Sequence, residues 1–262
     1  MKKSLLILGA VLISGLTALA QMGGGGGSPG ANFDNGMEKL FAPNPVFTAT
    51  MQTKMDGPNG PMTVKSKMFF DHENSRTEMD MADAQGGNLP PDAITQMKAL
   101  GMDKVVSIAL SDKKSIYMVY PNIRSYVAMD IGASGPTTNA YQTQATKIGT
   151  DTVDGHACVK NKTVVWAGDQ TNEFTVWNAT DLNNFPVQIA MSQQDMAITI
   201  DFQSVSFDKL DASLFQAPAG YTRYGSIQDL MQSAIMNHPG GMPGMPGASG
   251  MPAPSVSTTP NQ

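Results

Sequence analysis

Two β-prone runs joined by Pro121-Asn122 restrict this chain most: Ser115 to Met129, SIYMVYPNIRSYVAM. Proline presets φ for the first central position of a turn, and asparagine tolerates the second. The flanks, Ile116 to Tyr120 and Tyr126 to Met129, are aromatic and β-branched, so the stretch reads as a β-hairpin. Ile116, Met118 and Tyr120 fall on one face of the first run, Tyr117 and Val119 on the other. A strand apolar on both faces needs cover on both. The expectation is a hairpin in the middle of a curved antiparallel sheet, with other strands and a helix gathered around it.

The flanking sequence supplies those strands. Phe47, Ala49, Met51, Thr53 and Met55 alternate with polar residues, the period of a half-buried strand. The turn cluster Asp56 to Pro61 follows, and the return run puts Met62, Val64, Ser66, Met68 and Phe70 on one side. A third run sets Thr77, Met79 and Met81 against Arg76, Glu78 and Asp80, completing a meander. Residues 82–103 interrupt it with a helical patch in which Ile94, Met97 and Leu100 share a side and Gly101 closes the end. Asp154-Gly155 marks another hairpin. Pro186 to Met191 pairs with Met196 to Phe202, where Met196, Ile198, Ile200 and Phe202 point inward. Val205 and Phe207 take the opposite parity, which predicts a β-bulge near Gln203-Ser204. Phe33, Met37, Leu40 and Phe41 form one short amphipathic stripe, and Ile227, Leu230, Met231, Ala234 and Ile235 another, capped by Ser226. The fold class is α+β: a curved antiparallel sheet forming an incomplete β-barrel with a few helices packed on or capping it.

The ends set the compartment and the domain limits. Met1-Lys-Lys, an apolar run from Leu5 to Leu16, and Ala18-Leu-Ala20 before Gln21 form a signal peptide over residues 1–20, cleaved after Ala20. The run is too short to span a bilayer, so no stable span is expected after cleavage. Residues 21–32 form a Gly-rich linker, 33–238 the domain, and 239–262 a Gly/Pro/Met-rich tail expected to be disordered. The exported, periplasmic chain loses Lys2 and Lys3, taking the formal charge from -5 to -7. That balance argues against nucleic acid and anionic membrane as partners. Cys158 is the only cysteine, so the core must hold the fold without an internal disulfide.

Little here supports catalysis. His72, His156 and His238 lack metal-site spacing, and no nucleophile-elbow or phosphate-loop motif occurs. Cys158, between Ala157 and Val159, reads as a small core residue. No enzyme activity and no cofactor are expected. Methionine is the unusual element, 20 in all, with Met51, Met55, Met62, Met68, Met79, Met81, Met118, Met191 and Met196 on the inward parity. Methionine fills irregular cores, and it also builds soft surfaces that accept varied apolar ligands. The candidate lining of such a cavity is Met51, Met55, Met68, Phe70, Met79, Met81, Ile94, Met97, Leu100, Met118, Tyr120, Met191, Ile198 and Ile200, with Ile94, Met97 and Leu100 as a lid. A lipid or lipoprotein acyl chain suits it, since each buried CH₂ contributes about 0.8 kcal/mol. A filled-core module that contacts an envelope protein partner is the alternative. A second is Cu(I) binding through Met231, Met236, His238, Met242, Met245 and Met251.

Three local signatures resemble the LolA-like superfamily of outer-membrane lipoprotein carriers, nearest its envelope branch. They are Lys114 to Tyr126 (KSIYMVYPNIRSY), Gly149 to Cys158 (GTDTVDGHAC) and Leu214 to Tyr221 (LFQAPAGY). The resemblance covers Phe33 to Tyr224 and implies an incomplete β-barrel whose helical lid covers an apolar cavity for acyl chains. The chain departs from the carriers in its long Gly/Pro ends, its Met-rich inner parity and its lack of a lipidated cysteine. No carrier residue maps onto a position here.

Overall fold

The computed structural model describes residues 38–57, 60–72, 74–87, 91–130, 141–167, 170–193 and 196–236. The expected signal peptide, linker and tail lie outside the described residues, as do Phe33, Met37, His238, Met242, Met245 and Met251. The strands are β1 (Val46–Asp56), β2 (Met62–Asp71), β3 (Asn74–Asp80), β4 (Gln85–Gly86), β5 (Lys104–Leu110), β6 (Ser115–Tyr120) and β7 (Ser125–Asp130). They continue with β8 (Gln142–Val153), β9 (His156–Ala167), β10 (Gln170–Ala179), β11 (Phe185–Gln193), β12 (Met196–Ser206) and β13 (Thr222–Tyr224). Two helices accompany them, α1 (Pro91–Ala99) and α2 (Ile227–Met236).

All thirteen strands belong to one sheet, ordered β13-β7-β6-β5-β3-β2-β1-β12-β11-β10-β9-β8, with β4 beside β2. Two meanders are therefore joined by β1 and β12, which pair Met51 with Phe202, Thr53 with Ile200 and Met55 with Ile198. The sheet is open, with β8 at one margin and β13 at the other. It must also curl. Ten inter-strand spacings separate β7 from β8, about 48 Å in a flat sheet. The chain from Asp130 to Gln142 reaches about 43 Å at most. The architecture is the α+β incomplete barrel expected.

The hairpin Ser115–Met129 is present as β6–β7, but it lies beside the margin and not in the middle of the sheet. The returning meander adds to the free edge of β1, which makes β1 the central strand. Both faces of β6 are nonetheless covered. Ile116, Met118 and Tyr120 pack with Met102, Val127, Tyr224 and Leu230 of α2. Val119 packs on the other face with Ile108 and Phe215, the latter in the 3-10 turn Ala212–Phe215. The expected bulge sits in β12. Register shifts between Thr48–Ser206 and Thr50–Gln203, and Ser204 takes φ 50°.

The largest core cluster is aromatic. Phe41, 1% exposed in the turn before β1, has ring centroids 4.8 Å from Phe47, 5.7 Å from Phe70, 5.7 Å from Phe185 and 5.5 Å from Phe202. It thus touches rings from both meanders, and buried aromatics in such tilted contacts contribute beyond their area. Asn44 follows, donating through Nδ2 to Asn183 O at 3.2 Å and tying the turn to the β10–β11 connection. Phe41→Ala should lower stability by about 3–5 kcal/mol, read as a drop in the urea midpoint with unchanged denaturant slope. A loss below about 1 kcal/mol would mean that Phe41 does not join the two halves.

Candidate functional site

Residues directly opposed in neighbouring strands share a face, so the register defines the inner surface. One row crosses seven strands: Ala49, Met68, Thr77, Ser107, Met118, Val127 and Tyr224. A second runs Phe47, Phe70, Ser75, Ala109, Ile116 and Met129. Each row is bulky at its two ends and small in the middle. Ser75, Thr77, Ser107 and Ala109 on β3 and β5 are half-buried and form a low strip between the aromatic cluster and the α2 cluster. The third run of the meander accordingly lacks a buried parity, since every residue of β3 is half-buried.

A cavity of about 580 Å³ opens on this face where the C-terminal end of α1 approaches α2. Its walls include Leu100 and Gly101 after α1, Asn122, Ile123 and Ser125 around the β6–β7 turn, and Leu230 and Ser233 on α2. Several polar groups there have partners within the protein. Ser125 Oγ donates to Ile123 O at 2.9 Å, and Asn122 Nδ2 donates to Asp103 Oδ1 at 2.9 Å. Tyr224 and Ser233 share a hydrogen bond of 2.7 Å that staples α2 to β13. The wall thus mixes apolar side chains with polar groups that have partners inside the protein.

Local sequence explains the α1 rim. Gly101, at φ 69°, is the left-handed residue closing α1. Met102 N–H donates to Met97 O at 2.8 Å, and Gly101 N–H donates to Lys98 O at 3.0 Å, a Schellman pattern. A Cβ at Gly101 would stand 2.9 Å from Ile123 Cγ2. Glycine is thus required both by backbone and by the approach of the β6–β7 turn.

The sequence-predicted lining residues divide among these regions. Met51, Met68, Phe70, Met191 and Ile200 belong to the aromatic cluster, with Ile198 packed against it. Met118 and Tyr120 belong to the α2 cluster, with Leu100 packed against it. Met55, Met81 and Met97 are buried, while Met79 and Ile94 are half-buried. Of the fourteen, Leu100 lines the 580 Å³ cavity. Burial pushes the Tyr120 phenol up to about 12. Sequence reasoning missed Asn122, Ser125, Thr222 and Ser233, because single hydroxyls and amides at element ends have no periodicity to reveal them. For copper, Met231 and Met236 lie on α2 and the remaining ligands fall outside the described residues.

A second, shallower cleft of about 520 Å³ lies at the β8–β9 turn, lined by Asp151, Ala157, Cys158 and Thr180 among others. Cys158 is buried and its thiol is pushed up, first by burial and further by Asp181 and Asp151, which makes it a poor nucleophile. His156 Nδ1 lies 2.8 Å from Asp181 Oδ2, and Trp177 Nε1 donates to Asp151 Oδ2 at 3.1 Å. The indole bond is the main cause holding the Asp151 carboxyl below its usual range, with the Thr152 N–H second. Among the described residues no group of three His, Cys, Asp or Glu is placed to hold a metal ion, and no helix is long and apolar enough to cross a membrane.

No family model matches the chain, and no curated protein matches it. Solved structures do. A LolA superfamily protein from Nitrosomonas europaea is 10% identical with a TM-score of 0.38, covering 71% of this chain and 96% of its own. The lipoprotein LppX of Mycobacterium tuberculosis is 11% identical with a TM-score of 0.37, covering 70% and 99%. LprF of Mycobacterium bovis is 13% identical with a TM-score of 0.37, covering 75% and 100%.

Two outcomes follow from this geometry. Gly101→Ala should cost about 1–2 kcal/mol, the usual left-handed penalty for a residue with a Cβ, or more if Ile123 cannot yield; urea unfolding measures it. Asp151 has a folded pKa below its unfolded one, so its stabilising contribution is present above the unfolded value near 3.9 and is lost as pH falls through the folded one. Tryptophan fluorescence should show an acid transition with a midpoint below about 3.9 that Asp151→Asn removes. A transition unchanged in that variant would sever the link to Trp177.

Proposed function

We propose that the chain is an exported, non-catalytic binding protein for a hydrophobic ligand, an acyl chain of a lipid or lipoprotein, held on the inner face and entered through the α1–α2 cavity. The observation carrying this reading is that cavity: about 580 Å³, walled by Leu100, Ile123 and Leu230, with the hydroxyls of Ser125, Tyr224 and Ser233 internally paired. Its volume falls in the range of about 300–1,000 Å³ typical of ligand sites. Leu230 and Tyr224 line it and also belong to the α2 cluster, so an apolar chain entering there meets Met118 and Val127 next. Beyond them lies the low strip of Ser107 and Thr77, then Met68. Met79, Met118 and Met129 flank that path, and methionine repacks readily around ligands of different length. Leu100, Met97 and Ile94 act as the lid. The remaining candidates, Met51, Met55, Phe70, Met81, Tyr120, Met191, Ile198 and Ile200, support the floor. Export follows from the leader at residues 1–20.

The test is binding of a dansyl-labelled fatty acid, followed by fluorescence. The chain should bind it, and Ala99→Trp, which places a large ring at an exposed position on the cavity rim, should weaken binding about tenfold or more, or about 1.4 kcal/mol, with the melting temperature unchanged. Absence of binding by the native chain, or full binding by the variant, would overturn the proposal.

A further inference from the structure

Among the described residues that line the 580 Å³ cavity, Lys98 is the one that carries a charge. It stands exposed in the last turn of α1, and among the described residues it makes no ion pair. A lysine at a helix C-terminus ordinarily offsets the dipole and its unpaired carbonyls. Here backbone bonds already serve that end. Gln96 O accepts from Leu100 N–H at 2.9 Å, Met97 O from Met102 N–H at 2.8 Å and Lys98 O from Gly101 N–H at 3.0 Å. The ammonium is not committed to the helix.

Other donors around the cavity already have partners inside the protein. Asn122 donates to Asp103, Ser125 donates to Ile123 O, and Tyr224 and Ser233 share one bond. Asp103, the carboxylate that accepts from Asn122, is 5% exposed and does not pair with Lys98. One cation thus stands at the rim of a space whose other walls include Leu100, Ile123, Leu230 and Ala234. A lone ammonium is a compact point charge on a flexible stem, and that stem lies well along apolar surface. We propose that the cavity selects amphiphiles with a monoanionic head group. The Lys98 ammonium holds the head at the rim, and the apolar chain runs inward past Leu100 and Leu230. This rests on the reading of the cavity as a site for an acyl chain and narrows it. A fatty acid or a singly charged lipid fits; a neutral ester or glyceride is held less tightly.

The test compares two probes that differ only in the head: a dansyl-labelled fatty acid, ionised at neutral pH, and its methyl ester. Both are titrated into the full chain and followed by fluorescence. The native chain should bind the acid about threefold to fivefold more tightly than the ester, the upper part of the range for an exposed ion pair. That preference should fade between about 0.01 M and about 1 M salt, as the screening length drops from about 30 Å to about 3 Å. Lys98→Ala should erase the preference and Lys98→Glu should invert it, whereas Lys98→Arg, which keeps the charge, should retain it. Lys113→Ala, in the exposed β5–β6 turn outside the cavity, should leave both affinities at the native level. Equal affinity of the native chain for acid and ester would overturn the inference and leave the acyl-chain reading standing. So would a preference that survives Lys98→Ala. Binding of neither probe would remove that reading and the inference with it. Melting of each variant near the native temperature separates these results from unfolding.

Discussion

The ladder between β1 and β12 is the contact on which the rest depends. It joins strands roughly 150 residues apart in the chain and turns two separate meanders into one sheet. Alone, each meander has one apolar face and nothing to bury it against. Joined, they curl around Phe41, whose ring touches Phe47 and Phe70 from one side and Phe185 and Phe202 from the other. Closing so long a loop has an entropic cost that grows only slowly with its length, and a desolvated five-ring cluster offsets it. The bulge at Ser204 shifts parity near the end of this ladder, letting β12 turn towards the Ala212–Phe215 segment on the other face.

Joining at β1 determines what stays open. Because β12 takes the edge of β1, β7 and β8 are left at opposite ends although they are consecutive in the chain. The sheet curls without pairing these two margins. At the β7 margin the gap is covered by α2, held through the Tyr224–Ser233 bond and Leu230. A helix laid across a sheet margin beside a second helix end leaves space that strand-to-strand closure would have removed. The cavity is therefore a consequence of incomplete closure, and the α2 cluster supplies part of its wall through Tyr224 and Leu230.

Much of this was legible in the sequence. Period-two alternation places the buried residues of β1 and β2 correctly, and the parity change after Phe202 announces the bulge. Parity reports which face a side chain takes, but not which strand lies beside it, so the hairpin of Ser115–Met129 reads well as an element and poorly as a position. The same limit applies to the methionines. Whether an inward methionine lines a space or fills one depends on what stands opposite, and for Met51 and Met68 that is a set of phenylalanines from distant segments. The cavity itself rests on Gly101, Asn122, Ser125 and Ser233, whose roles arise from the meeting of a helix end, a turn and a second helix. Gly101 was recognisable as a helix terminator; its close approach to Ile123 was not.

The two margins of the open sheet present different chemistry. At β7 and β13, side chains and helices wall an open cavity of mixed polar and apolar lining. At β8, polar side chains on both faces leave main-chain groups as the available interaction, which scales with strand length and register. The two surfaces lie at opposite ends of the strand order, but the curl brings those margins back towards each other. The curl they share is anchored at Phe41, whose ring meets aromatic rings from both meanders.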